Sequence, residues 1–496
     1  MSKTGKPILK TVPLDEAEDT LDPSSSLVPK KDTRRIWKDE DIEEFQVPDA
    51  SFETPDALQS PFQYFKMLFT DEMIDHIAYH TNLYSAQELG DTIKTNFLAI
   101  LLFMGVFNFP SLEDYWQHES RFSVIADIIP KKRFQLLRWF IHFSDNQQCN
   151  ESQDRFKKIR PLFDMLCEQC LQIPSTNKHS VDEVMVAYKG TRAGNLRQYI
   201  ANKPDEWGFK VFCRANSSGI IYDLLLYQGP STFFNVTLSE EDQGFLLCSV
   251  TTIFTSFKLV QHLDTSLGVK CIGTVRPNRT GGATLMTDKE LMKRGRGAFD
   301  YRSAEGVIAV KWFDNKCVNL LSNASGIMPL STVKRWSKES KAKVMIPCPS
   351  LIPAYNELMG GIDLSDMLVH LYKTPAKSTR WYLPLFGYML DLSIANSWLV
   401  YKRECGQLNQ KPITLKRFRL AVAHSLKQVN KPASKVGRPS SNVRYDCFGH
   451  WPLHCDKRGR CNYCPKGVSR WKCQKCNVFL CLNASQECFA VYHQKI

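Results

Sequence analysis

The sequence predicts a multidomain α/β protein: a helical region, a mixed sheet with a β-rich insertion, returning helices and a small Cys-rich module. Three observations carry this expectation. Apolar residues recur at three- and four-residue spacing over 61–173, the pattern turns to strand-like alternation near 178, and eight of the 17 cysteines crowd into the last 50 residues. At 496 residues the chain has room for two or three domains with hydrophobic cores of their own.

Residues 1–58 are rich in Asp, Glu, Pro and Ser and lack apolar periodicity, which predicts an acidic disordered region. Helical texture follows over 59–175, in "SPFQYFKMLFTDEMIDHIAYHTNLYS", "TIKTNFLAILLFMGVF", "KKRFQLLRWFIHFS" and "IRPLFDMLCEQCLQI". From 176 to 400 a mixed domain is expected. "HSVDEVMVAYKG" alternates as a strand does, "GFKVFCRANSSGIIYDLLLYQG" reads as two strands around a turn, and further strand-like pieces between about 280 and 350 suggest a β-rich insertion. Helices return at 355–370 and 382–403; residues 401–445 form a basic helical segment and linker, and 446–496 the Cys-rich end.

Charge is unevenly distributed. Residues 1–60 hold 8 Lys/Arg and 14 Asp/Glu, whereas residues 401–496 hold 19 Lys/Arg and 4 Asp/Glu. So basic a tail suits double-stranded DNA, because each base on a phosphate releases condensed counterions; a merely solvated tail fits the same count. The longest apolar run, Phe97 to Phe107, is far shorter than the ~20 residues of a membrane span, and the first 20 residues lack the apolar core of a signal peptide. No membrane association is expected, and thiols should be reduced, as inside the cell. "KPASKVGRPS" is basic enough for a nuclear address, and nuclear localisation is the expectation.

The Cys-rich end contains two Cys-x-x-Cys steps, Cys461/Cys464 and Cys473/Cys476, followed by Cys481, Cys488 and His493. Such a step lets two thiolates converge on one tetrahedral zinc. Seven ligands are one short of two zincs; His450 is the candidate eighth, with His454, Cys455 and Cys447 as rivals. Two zincs per chain are expected, since about 50 residues with so few large aliphatic side chains need staples to fold. Plain packing of the thiols, or a cross-brace finger that reads chromatin or ligates ubiquitin, uses the same residue types.

"YNELMGGIDLSDML" sets Asp363 and Asp366 three residues apart on one helix face. Capping explains the pair as readily as metal binding does. Asp182 is a charged residue on an otherwise apolar strand, where a carboxylate tends to hold a cation or line a cleft.

Several motifs in order, "SVDEVMVAYKG", "RQYIANKPDEWGFKVFC", "IGTVRPNR", "RGAFDYRS", "YNELMGGIDLSD" and "TRWYLPLFGYMLDLSIANSWLVYKR", resemble the piggyBac transposases, most of all the domesticated piggyBac transposable element-derived proteins. The resemblance runs from about residue 60 to the C-terminus. It implies an RNase H-like core with a β-rich insertion, a flanking helical region for dimerisation and DNA binding, and a terminal zinc domain. It also implies three aspartates that hold two divalent cations, such as magnesium, to cut and rejoin DNA at TTAA sites. Asp182 matches the first aspartate, Asp363 the third and Asp366 its neighbour. At the second, in "SVTTIFTSF", Thr251 stands instead, with Thr252 in place of the asparagine that follows. The expectation is a nuclear DNA-binding homodimer, defective in cleavage. The alternatives are an active transposase in which Glu240, Glu241, Asp242 or Asp264 substitutes, or a chromatin-protein module acting through its finger.

Overall fold

The computed structural model describes residues 35–88, 96–145, 154–201, 203–233, 247–252, 254–376, 378–428, 444–445, 449–483 and 487–494. Six helices come first: α1 (Pro61–Leu68), α2 (Asp71–Glu88), α3 (Asn96–Val106), α4 (Ser123–Ala126), α5 (Lys131–Phe140) and α6 (Arg160–Leu171). The start of α1 is fixed by its sequence: Ser60 accepts from the Gln63 N–H, Gln63 returns the bond to the Ser60 N–H, and Pro61 opens the first turn.

A mixed sheet follows, built from β1 (Lys178–Ala187), β2 (Gln198–Tyr199), β3 (Trp207–Ala215), β4 (Ile221–Leu226), β5 (Leu247–Val250), then α7 (Phe257–Leu267), β6 (Lys270–Thr274), α8 (Asp288–Lys293), β7 (Phe299–Ala304), β8 (Val307–Phe313) and β9 (Cys317–Ser322). The strand order is β2-β3-β1-β5-β6-β9-β8-β7, with β4 also on β3. Strands β4, β3 and β1 are antiparallel; β1, β5 and β6 are parallel. Every residue of β5 is buried, as a strand covered on both faces requires. The crossover helix α7 is bounded by Ser256, which accepts from the Leu259 N–H, and by Gly268 at φ 65°, a left-handed cap that glycine takes without strain.

Of the strand-like pieces expected as an insertion over 280–350, β7, β8 and β9 prolong the main sheet through β6–β9 pairing. Only β10 (Ser331–Ser337) and β11 (Ala342–Cys348) form a separate two-stranded ribbon. Helices α9 (Leu351–Met359), α10 (Gly361–Leu371), α11 (Tyr382–Gln407) and α12 (Leu415–Gln428) complete this body. Beyond it, β12 (Pro452–Arg460), β13 (Val468–Cys473) and a terminal helix, Cys488–His493, form the Cys-rich module.

The 26-residue α11 packs against α1, α10 and β1. Its buried Asp391, Ser393, Asn396 and Ser397 all have partners. Asn396 brackets the start of β4, accepting from the Ile221 N–H (3.0 Å) and donating to the Ile221 carbonyl (2.7 Å). Asp391 pairs at 2.8 Å with Arg419 of α12, while Arg419 also donates to Thr374 and to the Leu102 carbonyl of α3. Cutting one partner out of such a buried pair typically costs ~3–5 kcal/mol, so this network clamps four segments together.

The acidic segment expected to be disordered through residue 58 is, from Arg35 onward, laid against the sheet. Lys38 and Ser303 exchange backbone hydrogen bonds at the edge strand β7 (2.9 Å each). The Asp41 carboxylate accepts from the N–H groups of Ile327 (2.8 Å) and Met328 (3.0 Å), and Ile42, Phe45 and Val47 pack on the core. The apolar residues here follow neither a helical nor a strand period, so pattern reading passes over them. Among the described residues no helix is long and apolar enough to cross a membrane.

Candidate metal centres and acidic cleft

The parallel ladder aligns Val181 of β1 with Val250 of β5, and Val250 with Gly273 of β6. The next residues along the three strands are therefore Asp182, Thr251 and Thr274, side by side midway along β1 and at the carboxyl ends of β5 and β6. Helices α9 and α10 meet this edge. The Thr252 and Thr274 hydroxyls are 2.7 Å apart, and Thr274 lies 3.4 Å from the Tyr355 hydroxyl. The Thr251 carbonyl accepts from the Thr255 hydroxyl and N–H, while its own buried hydroxyl has no hydrogen-bond partner among the described residues.

Helix α10 brings Asp363 and Asp366 to the same place. Its first residue must be glycine: a Cβ on Gly361 would lie 1.9 Å from the Asn216 carbonyl oxygen in the β3–β4 turn, whereas Gly360 has open space. Partial burial raises the Asp363 pKa, the charges of Asp182 and Asp366 add to this, and Lys203 pulls the other way.

Four groups that sequence reasoning did not single out share this cleft. Glu183 is buried beside Asp182; burial first, then the hydrogen bond its protonated carboxyl donates to Asp182 and the charge of Asp182, push it up to about 7. Asp205 accepts from Lys373 and from His370 Nε2, each at 3.2 Å. His370 Nδ1 lies 3.2 Å from an Asp366 carboxylate oxygen, and that interaction raises the imidazole to about 9. The only local signal was "VDEV", which sets Glu183 next to Asp182; His370 and Asp205 are 165 residues apart in sequence.

Among the described residues, two groups bring ligand atoms within 4.8 Å of one another, and both lie in the Cys-rich module. One is His450, Cys473, Cys476 and His493; the other is Cys461, Cys464, Cys481 and Cys488. All eight residues singled out in the sequence converge, His450 among them. His454 and Cys455 belong to neither group, and Cys447 lies outside the described residues. The quartets interleave along the chain, so neither closes without the other's segment. Gly467 sits under the second: a Cβ there would lie 2.5 Å from the Cys464 sulfur and 2.6 Å from that of Cys481.

The electrostatics of the second quartet are those of crowded thiols. Burial alone would raise Cys461, but the N–H groups of Cys464, Tyr463 and Cys481 bring it down to about 7. Burial, then the crowding sulfurs of Cys461 and Cys464, push Cys481 up to about 12. Four thiolates cannot ionise together in so small a volume unless a cation joins them, so the donor set fits a divalent metal ion.

A family model described as "Transposase IS4" matches residues 60–398. PiggyBac transposable element-derived protein 2 of Homo sapiens is 31% identical over 465 residues, covering 87% of this chain and 77% of that protein. The belonging is plain. This chain is a member of the piggyBac transposable element-derived family. PiggyBac transposable element-derived protein 3 of Homo sapiens is 30% identical over 461 residues, covering 87% of this chain and 76% of that one. The fold agrees. A piggyBac transposase, solved by cryo-EM as a synaptic complex with hairpin DNA, superposes with a TM-score of 0.64 at 21% identity, covering 88% of this chain and 98% of that one.

Within this piggyBac-derived chain, the acids that could substitute for the second aspartate, and further basic, aromatic and cysteine side chains, fall as follows. Asp264 pairs with Lys270 (2.9 Å), at the far end of α7 from Thr251, while Glu240, Glu241, Asp242 and the Gly437-Arg438-Pro439 tripeptide lie outside the described residues. Lys203 lines the cleft and donates to the Glu183 carbonyl (3.2 Å). Arg380 donates to the carbonyls at the end of α5. Cys167 and Cys170 pack in α6, without metal-ligand partners among the described residues. Trp398 and Trp381 pack against the core, but Trp207 is half-exposed, with the Arg197 guanidinium 4.3 Å above its ring.

Proposed function

We propose that this chain is a nuclear, piggyBac-derived DNA-binding protein that keeps the transposase architecture and no longer cuts or joins DNA. The observation carrying this reading is Thr251, which follows the β5 register directly beside Asp182. The antiparallel β4-β3-β1 set followed by parallel β1-β5-β6 supports an RNase H-like core for the domain. In such a core two cations need carboxylates from neighbouring strand ends. Here a neutral hydroxyl takes one corner. The remaining acids do not fit the ions: Lys203, His370 and Lys373 already balance Asp205, Asp363 and Asp366, and these carboxylates do not converge on a common point.

DNA binding would come from the helical region, about 59–175, and from the basic segment and Cys-rich module of 401–496, in a homodimer. Two zincs held by the quartets would act as structural staples. The 30–31% identity to piggyBac-derived proteins and the likeness to a DNA-bound transposase support this. A second reading, docking of a chromatin protein on the zinc module, is favoured by the exposed Trp451 and Leu453 on and beside β12.

Two measurements decide. A TTAA-flanked reporter should not be excised; excision that Asp182→Ala abolishes would restore the enzyme. Binding of double-stranded DNA should weaken steeply with salt, whereas a salt-insensitive complex would favour the protein partner.

A further inference from the structure

The two-stranded ribbon β10–β11 has two faces of opposite character. On the inner face Ile346 and Cys348 are buried, and Val333 and Val344 pack against the same core. Trp312 Nε1 donates to the Pro347 carbonyl (3.1 Å) at the ribbon's root. Further out, Arg335 donates to the Asp314 carboxylate (2.9 Å) and Arg296 to the Trp336 carbonyl (3.1 Å). The ribbon is thus held firmly from below. Its outer face consists of three cross-strand pairs, Thr332 with Pro347, Lys334 with Met345 and Trp336 with Lys343, and all six residues are exposed. Trp336 is 57% and Met345 53% exposed, so two large apolar groups alternate with two ammonium groups in a checkerboard. The hairpin loop adds exposed Lys338 and Lys341 against one acid, Glu339. An exposed apolar patch marks an interaction site, and lysines set among its members suit a polyanion that also offers apolar surface.

The ribbon's position narrows the choice of polyanion. Along β9, Leu320 pairs with Thr274 of β6, and Cys317, three residues nearer the turn, pairs with Phe313 of β8. The β8–β9 turn that carries Asp314 therefore lies on the same edge of the sheet as Thr251 and Thr274. From β5 to β8 is three strand spacings, roughly 14 Å. A double helix lying along this edge covers that span in under half a turn, one turn being about 34 Å. The major groove, roughly 12 Å across, admits a two-stranded ribbon. Thymine methyl groups on its floor match Trp336 and Met345, and the phosphates on its walls match the lysines.

We infer that the outer face of β10–β11 binds duplex DNA through the major groove, with Trp336 and Met345 toward the bases and Lys334, Lys338, Lys341 and Lys343 toward phosphates. This rests on the DNA-binding reading above and adds a contact element to it, apart from the helical region and the Cys-rich end.

The test titrates the full chain with a fluorescent mixed-sequence duplex over a range of salt. The double variant Lys338→Glu, Lys341→Glu should lower the salt slope by about two. Trp336→Ala should weaken binding about threefold or more at every salt and keep the wild-type slope, because it removes apolar contact and no charge. These side chains are exposed, and an unchanged melting temperature excludes misfolding. A duplex with deoxyuridine in place of thymidine lacks the major-groove methyl groups and should bind the wild-type chain more weakly; equal binding of the two probes would remove the base contact and sink the inference. Labelled polyglutamate tests charge alone. If it binds as tightly as the duplex, and the lysine variant weakens both alike, the ribbon is a general polyanion face and the inference fails. A wild-type salt slope in the lysine variant overturns this inference alone. Absence of any duplex binding by the wild-type chain overturns the reading it rests on.

Discussion

In the C-terminal module eight ligand atoms close into two quartets; in the cleft of the main domain five carboxylates share their space with three basic side chains, Lys203, His370 and Lys373. Both places gather the residue types that hold metal ions. They differ in what balances the charge. Cys481 and Cys488 are pushed up to about 12 and about 11 by burial and neighbouring sulfurs. Asp205, by contrast, is held below its ordinary value: burial would raise it, and Lys373 and His370 more than reverse that. The Cys-rich quartets are crowded donor sets that a dication could hold together; the cleft has recruited its own ammonium and imidazolium groups, which compete with a metal.

The sharpest break of this comparison is metal removal. The chain should carry two zincs, and stripping them with a strong chelator should unfold 449–494, because structural zinc contributes on the order of 10 kcal/mol per site to such modules. Melting of the main domain should persist, since its cores contain none of the eight ligands. Cys473→Ser should take metal content well below two per chain, the quartets being interleaved. Fewer than one zinc per wild-type chain in elemental analysis would return the cysteines to ordinary packing.

The two regions were also unequally legible in sequence. The eight ligands stand out because Cys-x-x-Cys is a local signal, two thiols one turn apart. Which quartet each residue joins was not legible, because Cys461 and Cys488, or His450 and His493, meet only after the hairpin and terminal helix form. In the cleft, Asp182, Asp363 and Asp366 stood out by strand and helix placement and were tied together only through resemblance to a family, and the order helices, sheet, helices followed from periodicity alone. Glu183, Asp205, His370 and Lys373 were missed because each looks like a surface charge until the fold joins them. The strap at 35–58 escaped for a related reason. Its hold is made by backbone bonds to Ser303 and by the Asp41 carboxylate on a distant turn, neither of which leaves a period in the sequence.

Restoring the missing corner tests the cleft directly. Thr251→Asp adds a carboxylate beside Asp182, and a recovered ligand should raise Mn²⁺ affinity at least about tenfold, by calorimetry or Mn²⁺ resonance. Asp182→Ala in the same background should abolish the gain. The comparison breaks if the wild-type chain already binds Mn²⁺ tightly and loses it on Asp182→Ala, for then Glu183 or another acid has closed the ring.

The smallest expected effect isolates the built-in competitor. His370 bridges Asp205 and Asp366, each contact at 3.2 Å, and its side chain is 34% exposed. Solvent screening limits such a pair to about 1 kcal/mol or less. His370→Gln in the Thr251→Asp background should therefore tighten Mn²⁺ by no more than about fivefold, by releasing both carboxylates. The pH dependence gives an independent reading of the same ring. Its folded value, about 9, is raised above the ordinary 6.5 by the Asp366 hydrogen bond, so the pair's contribution to stability is complete below 6.5 and is lost as pH rises through about 9. A ring signal titrating near 9, absent in His370→Gln, would identify the imidazolium as the side-chain cation between these acids. Titration at the ordinary value would leave Asp205 and Asp366 without it, and the cleft would then be open to metal after all.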